Sequence, residues 1–410
     1  MQILIFELKR VIKSRMTWIS LMIAIALSLI ISLRVVSFAE YYYVDKSGHE
    51  AKITGRAAIR ANKAQMKPYE GQVTSEKLQG ALKIYQDVYK KYGKDIPLDV
   101  YHKKLRPIDK FLGMIREVYP SDDDYTIALS KINAEDITSF YKDRSKTLQN
   151  KLAAKYPNNA DVQKEIQRLN ERVKAPFMFY EGYTSDASDN LEILFFILVF
   201  ICAVIVSPVF SSEYQSGSDD ILRCTKHGKI KLAVTKLCSA LLIVLTMFVI
   251  CALIFILIVD SAYGWGSLQT SVQVLLSAIS FVPLTMGGEQ KLVVLAGFLT
   301  ILAVACFTLF LSSKLKNSTT VLVLAIAFCL LPAILYSIGG GNFVKFLVCL
   351  FPAGGTGLMN SFHVQLNSIT FIKIGSLSVW APYIMIWASI VEIPLFFILS
   401  VCSYCRHQAA

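Results

Sequence analysis

No G-x-x-x-x-G-K-[ST] phosphate-binding loop occurs in the chain, so it lacks that means of holding a nucleotide. Its 5 histidines (His49, His102, His227, His363 and His407) fall at no ligand spacing, which argues against a metal site. No Ser/His/Asp or Cys/His arrangement can be argued from spacing, so no catalytic machinery is expected. Cysteine is missing from the whole stretch between residues 40 and 190. All 9 cysteines, from Cys202 to Cys405, lie in or near apolar segments. If that stretch faces an oxidising compartment, packing holds it rather than disulfides. The cysteines themselves read as small apolar fillers. Internal repeats of the kind common in secondary transporters are also missing.

What the chain has in abundance is apolar sequence. Over 410 residues the hydrophobic share is 54% and the mean hydropathy +0.49, too apolar for ordinary soluble domains. The average hides two chemistries: a charged block over about residues 40–190, and apolar runs with short connectors elsewhere. The net charge of +12 sits largely on the flanks of those runs, as in membrane proteins generally, so no nucleic-acid partner is expected. The fold class predicted is an all-α membrane protein, with six transmembrane helices and a mainly helical extracellular domain.

In order, residues 1–16 read as an amphipathic helix at the cytosolic membrane surface. A first span follows over 17–39. Ser37-Phe38-Ala39 looks like a signal cleavage site, but the apolar run exceeds a usual signal core. Residues 40–190 form the extracellular domain. Its helical stripes are Leu78/Ala81/Leu82/Tyr85/Tyr89 closed by Gly93, Leu105/Ile108/Phe111/Leu112/Ile115 stopped near Pro120, Ile137/Phe140/Tyr141/Leu148/Leu152 with Asn133 as cap, and Ile166/Leu169/Val173 before Pro176. Bundle core explains these Tyr/Leu stripes better than a ligand site. The remaining spans are expected at 191–210, 237–259, 291–311, 319–338 and 380–403, with a cytosolic loop at 211–236 and a short one at 312–318. The 260–290 and 339–379 connectors fall outside, their apolar patches 272–282 and 346–351 read as re-entrant or interfacial, and residues 404–410 form a cytosolic tail. Both termini then share the side that carries Lys9, Arg10, Lys13, Arg15, Lys314, Lys316 and Arg406.

Few residues stand out as functional. Glu392 lies near the middle of the sixth span in IVEIPLFF, where an ionisable group is costly; a functional carboxyl and a structural interhelical hydrogen bond are weighed evenly. Glu192, at the outer end of span two, reads as interfacial. Pro208 and Pro332 are expected to kink spans two and five.

The stretch SPVFSSEYQSGSDDILRCTKHGKIKLAVTKL, residues 207–237, resembles the first cytoplasmic loop of bacterial ABC-2 type transporter permeases. Glu213, Gly217, the Ile221-Leu222 pair, the Lys226-His227-Gly228-Lys229 turn and Lys236 carry the likeness, supported by the MQILIFELKR start, Pro176-Phe177, Tyr180-Glu181-Gly182-Tyr183, Pro283-Leu284-Thr285 and Arg406-His407-Gln408. The resemblance implies a bacterial cell-membrane permease subunit that pairs with cytosolic ABC ATPase subunits, works as a homodimer or beside a second permease, and leaves ATP and magnesium to the ATPase. It implies that Glu213, Gly217, Asp219, Asp220, Ile221, Leu222 and Arg223 contact the ATPase, with Ile221 and Leu222 forming a coupling helix and Asp219, Asp220 and Arg223 its rim, and that Pro208 and Pro332 are hinges. An antimicrobial peptide or lipid-like substrate follows from analogy alone. The alternatives are a membrane sensor or scaffold with an extracellular ligand-binding domain, and a proton-coupled transporter using Glu392.

Overall fold

The computed structural model describes residues 2–121, 124–157, 159–225, 228–357 and 360–407. Among the described residues six helices are long and apolar enough to cross a membrane: Arg15–Ser37, Ser185–Ser216, Ile230–Tyr263, Met286–Lys314, Ser318–Ile338 and Ala381–Arg406, here spans one to six. They overrun the apolar runs that announce them. Span two starts six residues before Leu191 and span three starts seven before Leu237, because a helix continues wherever its polar residues find water or a partner, not only where they are apolar.

The chain divides into two compact units. One comprises residues 1–32, 189–256 and 292–410, and the other 33–188 and 257–291. The first holds most of the apolar helices. Its 339–379 connector is structured throughout the described residues. Gly339, at φ +77°, ends span five in a conformation that favours glycine. A short helix, Asn342–Leu350, packs on spans five and six. The hairpin β1 (Phe371–Ile374) and β2 (Leu377–Trp380) precedes span six, and Asn342 binds its edge through Lys373 N at 2.8 Å and Lys373 O at 2.6 Å. Glu192, expected at an interface, is buried instead, where its carboxylate accepts from His363 N at 3.1 Å.

The second unit contains the charged block. The first expected stripe is the helix Ser75–Tyr92, capped by Thr74 and ended by Gly93 at φ +60°. Leu78, Ala81, Leu82 and Tyr85 are buried on its inner face. They share a core with Phe111, Leu112 and Ile115 of helix Asp109–Val118 and with Phe140, which opens helix Phe140–Lys155. Asn133, read as that helix's cap, instead accepts from Glu135 N at 3.2 Å and starts a single turn, Asp136–Ser139, ahead of it. A fourth helix spans Ala160–Asn170. Short antiparallel pairs, which helical periodicity does not disclose, accompany the bundle: Glu40–Val44 with Glu50–Thr54, and Gly71–Val73 with Phe177–Phe179.

The apolar patch 272–282, read as re-entrant or interfacial, packs as part of a protein core. Val274, Ala278 and Ile279 belong to the core of this second unit. Buried Arg144 donates from Nε to Ala278 O at 2.7 Å, from Nη2 to Ser280 O, and from Nη1 to Asn170 Oδ1 at 2.7 Å. Glu117 accepts from Ala278 N at 2.6 Å and from Ser277 Oγ. A loop threaded into a protein core and a loop dipping into lipid are equally apolar, so hydropathy does not separate them. Burial draws the Arg144 pKa down to about 10, so it stays charged at neutral pH. Replacing Arg144 with Met should strand these carbonyls and cost about 3 kcal/mol, read as a lowered urea midpoint and new proteolysis near Ala278. Lys in its place should recover only part, because it lacks the planar fork.

Candidate functional site

Proline removes a backbone donor and crowds the preceding turn. At Ser207-Pro208 the helix of span two breaks, then resumes as Pro208–Ser216. Ser312, near the end of span four, repairs the break. Its hydroxyl accepts from Phe210 N and Ser211 N, both at 3.1 Å, and donates to Ser207 O at 2.7 Å. One donor and two acceptor positions are all a serine hydroxyl has.

The resumed segment brings Glu213 into a buried ion cluster. Glu213, expected on a solvated loop, is only 4% exposed. Its carboxylate takes both the Arg10 guanidinium and the Lys236 ammonium. Glu7 completes the group, 2.9 Å from Arg10 and 3.6 Å from Lys236. Two acids and two bases sum to no net charge, which is the condition for burying ions without prohibitive cost. Glu7 and Arg10 meet because they lie three residues apart on the helix Gln2–Ile12. Burial lowers the Arg10 pKa, against the pull of Glu7. The amphipathic helix, the end of span two and the start of span three are thereby joined.

Gly217, at φ +69°, closes this segment, and the short helix Ser218–Arg223 follows at once. Its inner side is anchored. Arg223 donates to Tyr404 O and His407 O at the end of span six and lies 4.7 Å from the Tyr404 ring centroid. That satisfies helix-terminal carbonyls and adds a cation–π contact. Asp219 is buried, 3.8 Å from Arg223 Nε and 4.0 Å from His407 Nε2. The Tyr214 ring stacks on His407 at 4.1 Å, and Tyr214 OH donates to Ser313 O at 3.2 Å. Tyr404 OH donates to Gly228 O at 3.3 Å. The outer side is bare: Ile221 is 75% exposed and Asp220 and Gly217 are exposed, while Leu222 is half-buried.

Of the residues singled out from sequence, Glu213, Gly217, Asp219, Asp220, Ile221, Leu222 and Arg223 therefore share one region, with Pro208 at its entrance. Pro332 is buried inside span five, and Glu392 lies apart on span six. Lys226, His227 and Gln408 lie outside the described residues. The sequence reading passed over Glu7, Ser312, Tyr404 and His407 as partners. Glu7, a lone acid in a basic amphipathic helix, was the one available signal.

Six apolar helices and a polar, ion-paired helix junction at one end define a multi-pass α-helical membrane protein. The family model for the ABC-2 family transporter protein matches residues 1–402. The chain belongs to that family and is a permease subunit of an ABC transporter, the membrane component that pairs with ABC ATPase subunits. No curated protein and no solved structure matches it.

Glu213→Ala should leave buried Lys236 and half-buried Arg10 to share Glu7 alone, with one positive charge unbalanced, and cost about 3 kcal/mol, seen as loss of monodisperse protein after detergent extraction. Ser312→Ala should cost about 1–3 kcal/mol in the same assay by stranding Phe210 N and Ser211 N.

Proposed function

We propose that the short helix Ser218–Arg223 is the coupling element of this permease, docking on a cytosolic ABC ATPase. The observation that carries the reading is a bare aliphatic side chain on a clamped base. Ile221 is 75% exposed, whereas Asp219 and Arg223 on the same turn are held to the end of span six. Exposed Ile221, with Leu222 beside it and Asp220 at the rim, has the pattern of an apolar contact edged by charge. A push on this turn reaches span six through Arg223, span four through Tyr214 and Ser313, and the approach to span three through Tyr404 and Gly228. Pro208 and Pro332 are the positions where spans two and five would bend.

In this reading the termini and the 217–229 turn face the cytoplasm of a bacterial cell, on the grounds of their Lys/Arg content, and residues 40–190 lie outside. The ATPase supplies the ATP and magnesium site. The permease works as a homodimer or beside a similar subunit, and exports or extracts from the bilayer a substrate such as an antimicrobial peptide or lipid-like molecule. Membership of a transporter family weighs against the sensor or scaffold reading.

Because Ile221 is exposed, Ile221→Asp should leave stability within about 0.5 kcal/mol. It should nonetheless cut co-purification of the ATPase and transport-coupled hydrolysis by at least about tenfold, as loss of a central apolar contact does. Unchanged co-purification would count against the docking role. A proton-coupled mechanism is the second reading, favoured by Oε2 of Glu392, which has no hydrogen-bond partner among the described residues. Transport with unaltered pH dependence in Glu392→Gln would remove it.

A further inference from the structure

Span six carries one carboxyl on an otherwise apolar wall. Ile384, Trp387, Ala388 and Val391 recur at helical spacing and lead to Glu392. With Leu350 and the β1–β2 hairpin opposite, they line a groove of about 500 Å³. Oε2 of Glu392 is shielded from solvent and has no hydrogen-bond partner among the described residues. No lysine or arginine among those residues forms an ion pair with it, in contrast to the paired Glu7 and Glu213. An acid inside a span is costly and ordinarily faces a partner. Among the described residues that partner is missing, and Glu392 is one of the residues lining the groove.

We propose that this groove is a binding site for a lipophilic monoamine drawn from the bilayer, its ammonium on Glu392 and its apolar body along Val391, Ala388 and Ile384. Charge complementarity selects the class. A cation pairs with the carboxylate, a neutral amphiphile leaves it unpaired, and an anion is repelled. The volume falls in the range of sites for drug-sized ligands. Trp387, 65% exposed, lines the same groove. The inference makes no use of ATP coupling and is tested without the ATPase, so it stands or falls separately from the docking role of Ile221.

The test uses the full chain in phosphatidylcholine nanodiscs, titrated with dibrominated octadecylamine and, separately, with dibrominated octadecanol. Bromine quenches nearby tryptophan, and the difference between wild type and Trp387→Phe isolates the signal of Trp387. Saturable quenching by the amine is expected at a concentration at least about tenfold below that for the alcohol, the ratio a charge-assisted hydrogen bond supports. Glu392→Gln should bring the amine to the level of the alcohol, and Glu392→Asp should restore much of the difference. Should Glu392→Gln fail to fold, Val391→Phe serves instead. It fills the groove from a position already 58% exposed and should abolish the saturable component. Equal quenching by amine and alcohol in the wild type, an unchanged ratio in Glu392→Gln, or saturation surviving Val391→Phe would overturn the proposal. So would tighter saturation by brominated phosphatidylethanolamine, which would make the groove a site for bilayer lipid.

Discussion

Glu213 is buried where the helix Gln2–Ile12, span two and span three meet, and both Arg10 and Lys236 reach its carboxylate. Moving a single carboxylate into a medium of low polarity costs on the order of 20 kcal/mol in the idealised limit, and only close opposite charge offsets it. The cluster therefore ties three segments together: the helix Gln2–Ile12, the end of span two and the start of span three. None of them can leave without exposing an unpaired buried charge. Gly217 and the helix Ser218–Arg223 begin from that fixed point, and Arg223 fastens their far end to span six. The turn that projects Ile221 is thus held at both ends.

The two proline positions differ in how the bundle accommodates them. At Pro208 the broken helix is repaired by a neighbour, since the Ser312 hydroxyl accepts from two amide N–H groups and donates to Ser207 O. Pro332 stays inside a continuous helix with a buried ring. A hinge at Pro208 would have to release or carry Ser312, which links any bending of span two to span four.

Much of this was legible in the amino-acid order. Unbroken apolar length announces the spans, and the 3.6-residue recurrence of Leu78, Ala81, Leu82 and Tyr85 places a buried helical face. The grouping of Asp219, Ile221 and Arg223 near Gly217 also follows from local spacing. What stayed hidden depends on contacts distant in sequence. Glu213 reads as a loop residue until Arg10, 203 positions away, is seen on it. Lys236 reads as a flank charge until its buried partners appear. The 272–282 stretch has the composition of an interfacial loop, and only Arg144 and Glu117 reveal it as core. Ser312 carries no local signal at all.

In the proposed mechanism the ATPase acts on the permease through Ile221, while Glu213 stays inside and transmits. Photo-crosslinkers placed singly at positions 221 and 213 in an assembled, ATP-hydrolysing complex separate the two roles most directly. Position 221 should crosslink to the ATPase, and position 213 only within the permease. Efficient crosslinking of 213 to the ATPase, with none from 221, would contradict the assignment of Ser218–Arg223 as the coupling helix.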